Sequence, residues 1–178
     1  MKLLPFLLLL LLPFSLYAEK TSWFIGLDGG VTGANLAASD ANTSFSFGPE
    51  YGIKAGFQDE RSRVYLGYTN ANDIGSYIIK NQNVYIALDG VGRPFEVIGS
   101  ATAKFFFGAR LGASFGAFET EDITAFQGGF QTGLIFLLPV GFEIETSYRH
   151  YWTYRSREAS DFMAGALAIG LNYKFGEN

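Results

Sequence analysis

In "FEIETSYRHYW", residues 142–152, Glu143, Glu145, Ser147 and Arg149 occupy one phase of a two-residue repeat, while Phe142, Ile144, Tyr148 and Trp152 occupy the other. Carboxylates and a guanidinium on a common face can pair, line an ion path or move protons. The same segregation recurs along the chain. Asp28, Glu50, Asp89, Glu143 and Glu145 share the charged phase with Lys54, Arg63, Lys104, Arg110, Arg149 and Lys174. An isolated charge on a buried face is costly, so these groups are expected to pair. Glu143, Glu145, Arg149, Arg110 and Lys54 are expected at the centre of that network, with Lys104, Asp28 and Glu50 joining it. Glu143 and Glu145 are two residues apart, so an opposing cation is expected to separate them.

The other chemistry-bearing candidates are few. His150 is the one histidine, and a general base of this kind needs a serine and an acid within reach. The residue two positions on is Trp152, Ser147 falls on the opposite face, and Ser156 lies in a polar loop. His150 is therefore expected in an aromatic rim and the protein is expected not to be an enzyme. No nucleophile elbow, metal-ligand spacing or phosphate loop is present, and "GVG" at 90–92 reads as strand glycine. The absence of Cys excludes disulfides, thiolate metal sites and a thiol nucleophile. No metal or cofactor is expected. A net charge of -4 and a pI near 5.0 give no footprint for nucleic acid.

The elements that position these charges are strands. Period-two alternation marks segments near 22–31, 44–57, 62–70, from 82 onward, 103–118, 126–138, 141–152 and 162–175. In the fourth, the pattern stumbles at "GVGRP", which predicts a bulge or an early exit from the sheet. Short turns (58–61, 99–102, 138–141) alternate with longer polar segments (32–43, 70–81, 119–125, 153–161). The latter contain "VTGANLAASDAN", "NANDIGSYIIKN", "ETEDIT" and "TYRSREAS", where a host or envelope partner would bind.

Which face meets water is decided by bulk and charge. The apolar phase of all eight segments lacks Asp, Glu, Lys and Arg. A soluble barrel would turn that face inward, yet it is crowded with Phe, Tyr and Trp, more than an eight-stranded interior accommodates. The opposite face is rich in Gly and Ala, which suits a cramped interior. Lys or Arg against lipid at mid-membrane costs about 2–4 kcal/mol, so complete segregation is what a membrane barrel requires. Trp23, Phe57, Phe142, Trp152, Tyr173 and Phe175 sit near strand ends, where interfacial girdles form. An open sheet edge in hydrocarbon leaves backbone groups unpaired, so the first and last strands must close on each other. The expected fold is an all-β, eight-stranded antiparallel up-and-down transmembrane β-barrel. In "AKFFFGARLGASFGAF", residues 103–118, Phe106 is a large ring on the inner face and is expected near the periplasmic end, closing the lumen.

The N-terminal "MKLLPFLLLLLLPFSLYAEK" has a basic start, an apolar core from Leu3 to Leu16 and Ala18 before the expected cut. A cleaved signal peptide over 1–18 and one barrel domain over 19–178 are expected. No later stretch reaches the ~20 apolar residues of a membrane helix.

The last strand carries a resemblance. "AIGLNYKF", with Gly170, Tyr173 and Phe175, resembles the C-terminal assembly signal of bacterial outer-membrane barrels. It departs at Ala168, where a polar residue is common, and in having Gly176-Glu177-Asn178 after an aromatic that is often terminal. The whole is similar to the small eight-stranded group that includes the OmpA membrane domain and OmpX, and "YGIKAGFQDERSRVYLGYTNAND" is similar to small outer-membrane proteins of the Helicobacter and Campylobacter type. The resemblance implies the bacterial outer membrane, a monomer surrounded by lipid, insertion by the barrel-assembly machinery, and a structural or surface-interaction role. A narrow pore, an adhesin and a lipid A-modifying enzyme are the alternatives.

Overall fold

The computed structural model describes residues 21–36, 45–74, 78–97, 99, 101–118, 121–154 and 162–176. The signal peptide expected at 1–18 and the loop centres at 37–44, 75–77, 119–120 and 155–161 lie outside the described residues. Eight long strands run β1 (Ser22–Leu36), β2 (Phe45–Gln58), β3 (Ser62–Ile74), β4 (Ile78–Val91), β5 (Thr102–Phe118), β6 (Glu121–Leu137), β7 (Phe142–Tyr154) and β8 (Phe162–Phe175). Each pairs antiparallel with its neighbours in sequence, and β8 returns to β1 from Trp23↔Phe175 to Leu36↔Phe162. The sheet is a closed up-and-down barrel.

The pairings fix its geometry. From Ala34 on β1, directly paired residues run through Ala164, Tyr151, Gly129, Arg110, Ala87, Tyr65 and Gly56 back to Phe24 on β1. One circuit thus descends from residue 34 to residue 24 of the same strand. With eight strands about 4.8 Å apart and 3.3 Å per residue, that stagger tilts the strands by roughly 40°. Strands of 13–17 residues at this tilt cross the ~25 Å apolar band of an outer membrane.

The faces sort as an inside-out protein. Arg63, Asp89 and Lys54 are buried, while Leu27, Phe47, Leu66 and Leu167 are more than 60% exposed. A water-soluble barrel reverses this arrangement, so the soluble rival is excluded. Inward glycines lie across from the largest inward side chains. Gly56 pairs with Tyr65, Gly112 with Tyr85, Gly129 with Tyr151 and Gly133 sits against Phe106. A Cβ at Gly112 would stand 2.7 Å from the Tyr85 Cα. Close strand approach and ring volume together require hydrogen there.

Three local features differ from or sharpen the sequence reading. Strand pairing continues through much of what reads as loop: β1 reaches Leu36, β3 reaches Ile74, β4 starts at Ile78 and β6 at Glu121. Polarity marks where lipid stops, whereas the hydrogen-bonded ladder goes on into water. At "GVGRP", Val91 pairs with Phe106 and, after Pro94, Phe95 pairs with Ala103. Three residues (92–94) stand against two (104–105), so this is a bulge after which pairing resumes for Phe95–Glu96. At the β2–β3 turn, Asp59 Oδ1 accepts from the N–H groups of Arg61 and Ser62, both at 2.6 Å. This asparagine-like turn explains why "QDERS" is short.

Candidate functional site

Among the described residues, charged side chains converge in the lumen. Asp28, Lys54, Arg63, Asp89, Glu145 and Arg149 are inward and buried because each lies in the phase opposite the lipid-facing residues of its strand. They form an alternating chain with Glu50. Arg63 Nη2 is 2.7 Å from Asp89 Oδ2 and its Nη1 is 2.6 Å from Glu145 Oε2. Lys54 Nζ bridges Glu145 at 2.9 Å and Asp28 at 3.1 Å. Arg149 then joins Asp28 at 2.7 Å and Glu50 at 3.4 Å. Signs alternate at every link, so each cation lies between two carboxylates. Neutral groups complete it: Gln131 Nε2 donates to Asp89 at 2.6 Å and to the Tyr65 hydroxyl, and Asn172 Nδ2 donates to Glu145 at 3.3 Å.

Of the residues expected in this network, the structure brings together Lys54, Glu145, Arg149, Asp28 and Glu50. Glu143 and Glu145 turn to different cations. Glu145 turns to Lys54 and Arg63, and Glu143 turns toward the short-turn end, 3.7 Å from Lys174 and accepting from Gln58 Nε2 at 3.1 Å. Lys104 forms none of the ion pairs among the described residues. Its cross-strand neighbour is Ile135, and Phe106, Val91 and Ile135 fill the lumen beside it. Arg110 also stands outside the chain. It is 1% exposed, its Nε, Nη1 and Nη2 have no hydrogen-bond partner, and its guanidinium lies 3.7 Å from the Tyr85 ring centroid and 5.2 Å from that of Tyr151. Tyrosine faces stand where a carboxylate was expected.

The central residues missing from the expected network are Arg63 and Asp89. They are direct cross-strand partners on β3 and β4, both inward. The signal was present in their phase, but locating the pair requires the hairpin register, which the polar outer segment conceals.

Toward the outer mouth the lining changes to neutral groups. Ser114 Oγ is 2.8 Å from Asn81 Oδ1 and 2.6 Å from Asn83 Oδ1, Asn83 Nδ2 donates to Thr69, and Asn81 Nδ2 donates to the Tyr151 hydroxyl at 3.2 Å. At the short-turn end, Phe106 is fully buried with Val91 and Ile135, and Arg63 lies 4.6 Å from its ring centroid.

The lipid-facing rings gather in two zones. Near the short turns, Trp23 meets Phe57 at 3.9 Å, Phe142 meets Tyr173 at 4.9 Å and Tyr173 meets Phe175 at 6.2 Å. Tyr173 and Phe175 face outward while Gly170 turns inward beside Asp28. Farther out, His150 sits 5.3 Å from Phe130 and 4.9 Å from Trp152, with Tyr148 Oη 3.4 Å from its Nδ1. No serine or carboxylate contacts the ring among the described residues.

This arrangement was compared with known proteins. No family model matches the chain, and no curated protein does. The crystal structure of Neisserial surface protein A superposes with a TM-score of 0.64 at 16% identity, covering 88% of this chain and 100% of that one. The solution structure of outer membrane protein H from P. aeruginosa in DHPC micelles matches with a TM-score of 0.51 at 25% identity, over 86% and 99%. This chain is an outer-membrane β-barrel. Like these small barrels it closes eight strands, and its charge and its lipid contacts lie on opposite sides of one sheet.

Proposed function

We propose that this protein is a non-enzymatic, sealed barrel with a role in envelope structure or surface contact. It works as a monomer in outer-membrane lipid and presents its outer hairpins to the surroundings. The observation that carries this reading is the alternating chain from Asp89 to Glu50, which strings fully or nearly buried charges across the lumen. A conducting path needs sites an ion can enter and leave, whereas Lys54, Arg63 and Arg149 are each held by two carboxylates. The apolar group of Phe106, Val91 and Ile135 supports closure at the short-turn end. His150 among Phe130, Tyr148 and Trp152 supports an interfacial role for that ring and not a hydrolytic one.

Residues 1–18 are assigned as a leader and 19–178 as the barrel domain. Gly170, Tyr173 and Phe175 are assigned as the sequence read by the barrel-assembly machinery. Planar-bilayer recording of the refolded protein tests the central reading. No conductance above background is expected, and reproducible unitary steps would establish a pore instead. Deleting the outer segments around 37–44 and 155–161 should leave folding intact while abolishing any cell-surface contact the protein makes; unchanged binding to host or neighbouring cells would remove the surface role.

A further inference from the structure

Arg110 presents a buried charge that the ion chain does not use. The guanidinium is 1% exposed, and the protein supplies no acceptor to Nε, Nη1 or Nη2. Tyr85 and Tyr151 approach the group at 3.7 and 5.2 Å from their ring centroids. Ring faces attract a cation but accept none of its in-plane N–H bonds as an anion would. Leaving five such donors unmet in a low-dielectric interior is expensive. The charge inventory agrees. Glu143 is taken by Lys174, and Asp28, Asp89 and Glu145 are held by Lys54, Arg63 and Arg149. Glu50 gives its Oε1 to Arg149 at 3.4 Å, and its buried Oε2 has no partner.

The inward residues differ on the two sides of the guanidinium. Along β5 the inward positions beyond Arg110 are Gly112, Ser114 and Gly116, all small and neutral. Gln127, across from Gly112 on β6, is fully buried with both Oε1 and Nε2 lacking partners. In the other direction lie Phe106, Val91 and Ile135, which close the lumen. A donor-rich position thus lies between that apolar group and a neutral, mutually hydrogen-bonded lining on the outer side.

We propose that Arg110 is a binding site for a small inorganic anion of halide size, held in the outer half of the lumen with Gln127 as second donor. The anion reaches it from the outside and supplies a counter-charge in direct contact, where no carboxylate of the described residues lies within ion-pair distance. Size is limited by Tyr85 and Tyr151, which occupy the space beside the guanidinium, and Glu50 is the competing carboxylate.

Chloride and bromide are the probes. In detergent micelles, chloride-35 NMR of the refolded protein should show excess line broadening that saturates with chloride. Arg110→Met should abolish it, Arg110→Lys should keep part of it, and Arg61→Met, in an exposed turn, should leave it unchanged. Gln127→Leu, which keeps the charge, should weaken binding several-fold. Heat-modifiable migration verifies that each variant is folded. Should Arg110→Met fail to fold, crystals grown with bromide decide: an anomalous peak within hydrogen-bond distance of Arg110 supports the site. Equal broadening in folded Arg110→Met overturns it, as does a bromide-containing crystal in which Arg110 contacts only water or Glu50.

Discussion

The two halves of the lumen solve the same packing problem with different chemistry. Near the short turns, formal charges alternate and Lys54 and Arg63 each meet two carboxylates. Beyond Arg110, toward the outer mouth, Asn81, Asn83, Ser114, Thr69 and Tyr151 bond to one another with no formal charge. The difference lies in what a single loss leaves behind. Removing one member of the charged half strands an ion, whereas removing one member of the neutral half strands a dipole. Burial therefore makes the inner half rigid and intolerant and the outer half adaptable.

The comparison can be broken most severely at Glu145, the carboxylate shared by Lys54 and Arg63. Glu145→Gln should destabilise the barrel by about 3–5 kcal/mol, the scale for removing one partner of a buried pair. Urea unfolding in lipid vesicles, followed by heat-modifiable migration, measures this; a change under about 1 kcal/mol, the scale of exposed pairs, would show that the inner half is as hydrated as the outer. A smaller effect is expected in the neutral half. Ser114→Ala removes the donor to Asn81 and Asn83 and should cost about 1–3 kcal/mol in the same assay. Equal costs at Glu145 and Ser114 would erase the distinction between the halves. The smallest effect lies outside both, in the β6–β7 turn. Val140 has φ 63°, a left-handed conformation unfavourable for a β-branched residue, and is fully exposed at the tip. Val140→Gly should stabilise by up to about 1 kcal/mol, because left-handed backbone costs an L-residue about 1–2 kcal/mol and glycine returns part of that as unfolded-state entropy. The refolding midpoint reads it, and a destabilised variant would indicate that the Val140 side chain itself contributes contacts.

How far the sequence reaches is clearest residue by residue. The alternation at Phe45–Gln58 announces both the strand and its two faces, because a two-residue period is a local property. Phe106 is readable as inward for the same reason. The outer ends of strands are not, because "NANDIGSYIIKN" looks like loop while Asn70 and Asn81 are paired strand residues lining the mouth. Partners are harder still. Arg63 and Glu145 are 82 residues apart in sequence and meet only through the tilt of the closed sheet. Arg110 has the composition of an ion-pair member, yet register places tyrosines, not carboxylates, beside it.

The seam between β1 and β8 has a kinetic consequence. It joins Trp23 to Phe175 and Leu36 to Phe162, so the first strand finds its second neighbour only when the last strand arrives. Contacts this distant in sequence incur their loop-closure entropy before returning any stabilisation, which makes closure the slow event. The link from Arg149 to Asp28 spans 121 residues and crosses this region of the barrel. Until the seam forms, Asp28 on β1 is separated from the strand that carries its guanidinium. A half-closed intermediate therefore faces hydrocarbon with two open edges and an Asp28 held by Lys54 alone, which disfavours a pause between insertion and closure.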